Sequence, residues 1–169
     1  MSEIDDYFNG LPQSPPETGW RIAETRVGKG VFASRPYPVH SIIGEITGQR
    51  IADPDYSSDY CMDLEDGYQL EPYPPFRFVN HCCEPSCEFD LLELDDDICS
   101  RTGRRVYLIA RRDIHTGKEL TIDYNWPASA AIRCLCDAPS CRGWIIDEAE
   151  LDDLLAGFSD PCEEPSGKP

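Results

Sequence analysis

The sequence predicts a mostly β domain, on three observations. Short segments rich in Val, Ile, Phe and Tyr recur from Trp20 onward, each broken by Gly or Pro, which is the punctuation of strands joined by turns. A helical repeat of apolar residues occurs only near the C-terminus, at Leu151, Leu154, Leu155 and Phe158. The length, 169 residues, suits one domain with a sizeable core and tails rather than two domains.

In chain order, residues 1–19 mix acids with Pro, Gly and Ser, offer little to bury, and read as a flexible lead. The strand candidates then follow as RIAETRVGKGVFA, SIIGEITGQRI, DYCMDL and YQLEP. Next comes RFVNHCCEPSC, residues 77–87, where apolar Phe78 and Val79 run into Asn80 and His81. Amide and imidazole groups shielded from water must be hydrogen-bonded, so this points to a polar site at a strand end. Two further strands are expected over Cys87–Leu94 and Arg105–Ala110, joined by an acidic, solvated turn at 95–103. Thr116-Gly117 makes a turn into a strand with Leu120 and Ile122 on one side. Residues 127–131 link to a cysteine cluster. Asp147 with Glu150 three places later resembles a helix N-cap pairing for a short amphipathic helix, whose apolar face docks on the body or whose acid face lines a cationic substrate. Residues 159–169 read as an acidic tail.

The formal net charge of −17 disfavours direct nucleic acid binding, because phosphate contacts need Lys and Arg to displace counterions. A basic protein or peptide is the better electrostatic partner, although acidity also serves solubility alone. No apolar run is long enough for a membrane span and no secretory leader pattern is present, which predicts an intracellular, soluble protein without choosing between nucleus and cytoplasm. Nine cysteines, an odd number, favour metal ligation plus free thiols over disulfides in that setting.

Cys134, Cys136 and Cys141 form a C-x-C-x4-C cluster, three corners of a tetrahedral zinc site that needs a fourth thiolate. Cys87 is the expected fourth ligand, since it follows a Pro-containing turn and has no other evident role. Gly28-Lys29-Gly30 reads either as a hairpin turn or as a loop that lets a ligand approach the backbone. It opens no helix, so a dinucleotide or P-loop fingerprint is not supported. Tyr124 ends the late strand, where its hydroxyl either packs or orients a reacting group. His40 and His115 read as solvent-facing turn residues, and no Ser-His-Asp order or paired-carboxylate logic is evident.

Four motifs occur in the order found in SET domains of the protein-lysine methyltransferase family, over about Trp20 to Ile145. VGKGVFA resembles the first S-adenosylmethionine loop, and RFVNHCCEPSC resembles RFINHSCxPNC. GKELTIDYNW resembles GEELTxDYxF, and CLCDAPSCRGWI resembles the post-SET CxCxxxxCRG tail. The resemblance implies a β-clip/SET fold: small curved β-sheets with a pseudoknot, short helices and a zinc-bound C-terminal post-SET segment. It divides the chain into a lead at 1–19, a SET domain at 20–126, a post-SET segment at 127–146 and a short helix with tail at 147–169.

By the same resemblance, Gly28, Lys29 and Gly30 hold the methionine part of S-adenosylmethionine, Tyr60 contacts the cofactor, and Asn80 and His81 bind its adenosine portion. Leu135 covers it and Tyr124 is the active-site tyrosine. Cys87, Cys134, Cys136 and Cys141 bind a structural Zn2+. The implied function is methyl transfer to lysine in a basic protein or peptide such as a histone tail. Three positions depart from the family pattern: Cys82 stands where Ser is usual, Ser86 where Asn is usual, and Ile122 where Phe or Tyr is common. The first two motivate an alternative, a catalytically inactive SET module that binds a peptide or partner; a zinc-tethered interaction module is a third. An aliphatic Ile122 suggests room for di- or trimethylation. No cysteine-rich segment precedes Trp20, so residues 1–19 or a partner are expected to support the core.

Overall fold

A computed structural model describes residues 18–53, 55–92 and 105–157. The expected lead over 1–17, the acidic turn at 95–103, Phe158 and the 159–169 tail lie outside the described residues. The mostly β expectation holds: the described residues form twelve short strands, three 3-10 turns and one short helix.

RIAETRVGKGVFA folds as a hairpin, β1 (Trp20–Thr25) against β2 (Gly28–Ala33), with Thr25 opposite Gly28. The turn leaves Gly28 at φ 113°, a conformation open to glycine. β3 (Ile42–Ile46) pairs with β9 (Arg105–Ala110), and β9 with β8 (Cys87–Leu92). β4 (Gly48–Ile51), β6 (Gln69–Pro72) and β5 (Met62–Asp63) make a third sheet with β5 at its edge. β10 (Glu119–Ile122) lies antiparallel to β2 on one side and parallel to β7 (Asn80–His81) on the other, with Thr121 opposite Asn80 and Ile122 opposite His81. This is the join that matters for the site. β11 (Ile132–Arg133) and β12 (Trp144–Ile145), which the sequence pattern does not reveal, pair near the C-terminus.

The core forms where period-2 faces meet: Val31 and Ala33 from β2, Leu120 and Ile122 from β10, Val106, Leu108 and Ala110 from β9, with Phe76 and Val79 from the segment that precedes Asn80. Asp147 caps the final turn as expected, accepting from the Ala149 N–H at 2.9 Å. Glu150 does not complete a capping box; its carboxylate accepts the Ala128 N–H at 2.7 Å. The helix α1 (Leu151–Gly157) has no buried residue and leaves Leu155 exposed, so its apolar face is not docked to core depth.

Candidate active site

The β7–β10 pairing brings Asn80-His81 beside Tyr124, two residues past β10. The Tyr124 N–H donates to His81 Nδ1 at 3.3 Å, and its hydroxyl donates to the Val79 carbonyl at 2.9 Å. His81 is buried, which lowers its pKa against the opposing pull of Asp123, and Nδ1 as an acceptor agrees with the neutral ring. Burial, reinforced by Tyr60, Glu119 and Asp59, pushes the Tyr124 phenol up to about 12, so it stays protonated and able to donate. Asn80 is held by its own amide, which donates to the Lys29 carbonyl at 3.1 Å and to Glu119 at 2.8 Å. A Cβ at Gly30 would fall 2.5 Å from that Glu119 oxygen and 3.1 Å from the Asn80 amide, so glycine is required for this arrangement.

Two cavities open beside Tyr124. The first, of about 640 Å³, is walled by Thr25, Val27, Asn80, His81, Ile132 and Leu135 among others. The second, of about 430 Å³, is walled by Tyr60, Met62, Val79, Phe89 and Ile122, with Asp59, Asp63 and Asp123 also facing it. The two cavities thus have Tyr124 and Trp126 as common lining residues.

The thiols of Cys83, Cys134, Cys136 and Cys141 lie within 4.8 Å of one another, an arrangement able to hold a metal ion. Cys83 Sγ is 3.7 Å from that of Cys134 and 3.9 Å from that of Cys141. The N–H groups of Arg142, Cys136 and Gly143 point at sulfurs of Cys83, Cys134 and Cys141, each at 3.4 Å. Cys87 is not in this group, contrary to the sequence expectation. It opens β8 opposite Ala110 and is fully buried in the core, while the bend after β7 carries Cys83 to the cluster. Arg142 also donates to both oxygens of Asp123, so the cluster is braced against the residue before Tyr124.

The other expected site residues are placed as follows. Asn80, His81 and Leu135 wall the first cavity, Leu135 being 58% exposed at its rim. Gly28, Lys29 and Gly30 do not themselves form that wall; Thr25, Arg26 and Val27 of the preceding turn do. Tyr60 lines the second cavity and not the first, because it leads into β5, the edge of a different sheet. Trp126 and Arg142 lie within the GKELTIDYNW and CLCDAPSCRGWI motifs, but the sequence assigns neither a role of its own. Of the departures, Ser86 is buried and fully bonded. It accepts the Thr121 N–H at 3.0 Å and donates to the Glu119 carbonyl at 3.1 Å, tying the bend before β8 to β10. His40 and His115 are exposed, as expected.

The chain is 30% identical over 135 residues to an H3 lysine-4 specific histone-lysine N-methyltransferase of Kluyveromyces lactis, covering 69% of this chain and 13% of that protein. It is 29% identical over 148 residues to the histone-lysine N-methyltransferase trr of Drosophila melanogaster, covering 75% and 6%. The chain thus spans a small part of the length of these relatives. The fold superposes on KRYPTONITE, whose crystal structure is a complex with mCHH DNA, an H3(1-15) peptide and SAH. The TM-score is 0.61 and the identity 24%, over 73% of this chain and 29% of that one. Residues 28–125, more than half of the sequence, match the SET domain family, and the chain belongs to that family.

Proposed function

We propose that this chain is an S-adenosylmethionine-dependent protein-lysine N-methyltransferase acting on a basic protein or peptide such as a histone tail. The observation that carries the reading is Tyr124 on the wall shared by two cavities. The first cavity, with apolar Val27, Ile132 and Leu135 around the polar Asn80 and His81, has the size and mixed lining of a small-molecule site and suits an adenosyl and methionyl ligand. S-adenosylmethionine, when bound, supplies a sulfonium methyl group. The names of the curated relatives support the reaction class.

The residues of the second cavity would do the rest. A lysine amine must be neutral to attack a methyl group, which at pH 7.4 costs roughly 4 kcal/mol from a free pKa near 10.4. Apolar Met62, Val79, Phe89 and Ile122 lower that cost by disfavouring the charged form. Entry of the two ligands from separate cavities lines up the reacting atoms, and such positioning is worth roughly 7 to 11 kcal/mol. Tyr124, neutral and anchored on Val79, orients the amine. Asp59, Asp63 and the acidic net charge draw a basic chain to the cavity mouth and aid encounter more than final affinity. A substrate of this kind places the protein inside the cell.

The four thiols fit Zn2+. Thiolates about 2.3 Å from zinc in a tetrahedron sit about 3.8 Å apart, and the separations at Cys83 are 3.7 and 3.9 Å. Cys83, Cys134, Cys136 and Cys141 would hold a structural ion that fastens residues 127–146 to the 20–126 domain, leaving 147–169 as an appended segment. The test is calorimetric binding of S-adenosylmethionine to the metal-loaded chain and transfer of its labelled methyl to lysine peptide arrays. Binding without transfer to any peptide overturns the catalytic reading, and absence of binding overturns both.

A further inference from the structure

Tyr60 sits in a stretch without regular strand, yet it forms part of the wall of the second cavity and is 40% exposed. Something outside its own backbone must fix it. Its ring lies against the Arg77 guanidinium, whose central carbon is 3.7 Å from the ring centroid. Arg77 is ion-paired to Glu71, and both side chains are nearly buried, at 8% and 12% exposure. The other Glu71 oxygen accepts the Ser58 hydroxyl at 2.6 Å and the Tyr56 hydroxyl at 3.3 Å. Ser58 Oγ in turn accepts the backbone N–H of Tyr60 at 3.1 Å and of Cys61 at 3.0 Å. One carboxylate thus reaches Tyr60 twice, through the ring by way of Arg77 and through the backbone by way of Ser58.

We propose that Glu71 is a positioning residue that fixes Tyr60 on the wall of the lysine-side cavity; this rests on the methyltransferase reading for its kinetic consequence. Arg77 belongs to the same short segment as Val79, whose carbonyl receives the Tyr124 hydroxyl. The two tyrosines that face the second cavity are therefore referenced to one piece of backbone. A buried ion pair that merely stabilised the fold would need no link to the 58–61 backbone. Here both oxygens of the carboxylate lead to Tyr60, and the Arg77 side chain faces the cavity. Loosening the assembly leaves the first cavity untouched, since neither Tyr60 nor Glu71 lines it.

The test uses the full, metal-loaded chain with Ser58→Ala, which cuts the backbone arm without stranding a buried charge, and Glu71→Gln, which weakens both arms. Hydrogen exchange at the Tyr60 and Cys61 amides should quicken about tenfold or more in Ser58→Ala. The kcat/KM for a lysine peptide should fall about tenfold, as misplacement of a site wall does, while the S-adenosylmethionine Kd stays within about twofold and Ser58→Thr restores the rate. Tyr60→Ala should cost no more in the Ser58→Ala background than the larger single change. Unchanged exchange at both amides in both variants overturns the proposal, as does a cofactor Kd that worsens in step with the peptide kinetics. A wild-type chain that transfers no methyl group sinks the methyltransferase reading instead, and the exchange result still decides whether Glu71 holds Tyr60.

Discussion

Arg142 donates two hydrogen bonds to Asp123, each 2.7 Å, and this pair joins the cysteine cluster to the segment that carries Tyr124. Arg142 follows Cys141 directly, and Asp123 precedes Tyr124 directly. The side chains are 11% and 17% exposed, so solvent screens them little. Removing one partner of a buried pair strands the other charge at about 3 to 5 kcal/mol, and partial exposure reduces this to about 2 to 3 kcal/mol. Arg142→Ala should lose that much in urea unfolding, and Arg142→Lys, which cannot make the bidentate contact, should recover only part of it.

Cys83→Ser and Cys87→Ser should separate metal binding from core packing. The wild-type chain is expected to carry about one zinc ion, and Cys83→Ser should drop that content and free the tail under mild chelation. Cys87→Ser should keep the metal but lose about 1 to 3 kcal/mol, because it places a hydroxyl at a fully buried position. Metal analysis with unfolding curves checks both, and loss of metal in Cys87→Ser alone would restore the sequence expectation.

That correction shows what the sequence held and what it hid. The strand expected over Cys87–Leu94 already put Cys87, Phe89 and Leu91 on one face by its period of two, and that face is the inner one. Reading the period through would have turned Cys87 into the core and left Cys82 and Cys83 as the candidates at the bend. The hairpin at Gly28, the β9 strand and the Asn80-His81 site were legible because apolar alternation and turn residues are local signals. Which cavity Tyr60 lines depends on the sheet that the following strand joins, a long-range fact that the sequence does not carry. The Glu71–Arg77 pair was invisible for the same reason: a buried ion pair looks like any Glu and Arg until the fold encloses it. β11 and β12 are two residues each, too short to carry a period.

Ile122 is 6% exposed and lines the second cavity, so under the proposed function its side chain would bear on how much volume a methylated amine can take. Ile122→Tyr should shift the product from di- and trimethyllysine towards monomethyllysine. Mass spectrometry of the product peptide at full conversion reads this directly, and an unchanged distribution would remove Ile122 from the determinants.

The raised pKa of Tyr124 predicts alkaline behaviour of definite sign. Folding favours the protonated phenol, so its contribution to stability is complete below pH 10 and is lost as pH climbs towards 12. The wild-type chain should therefore lose about 2 kcal/mol more than Tyr124→Phe between pH 10 and 12. The methyl-transfer rate should climb from pH 7 to 9 as the substrate amine loses its proton, with no downturn in that range from Tyr124. A falling limb near pH 9 that disappears in Tyr124→Phe would contradict the shift.

The central claim is that Tyr124 stands where cofactor and lysine meet, and Tyr124→Phe tests it most directly. Paired measurements of S-adenosylmethionine Kd by calorimetry and of single-turnover methyl transfer to a histone H3-tail peptide should be made on the metal-loaded chain and this variant. The account predicts a Kd within about threefold of wild type and transfer slowed by about 10²- to 10³-fold, the cost of one lost polar contact at a reacting centre. Full transfer by Tyr124→Phe would contradict it.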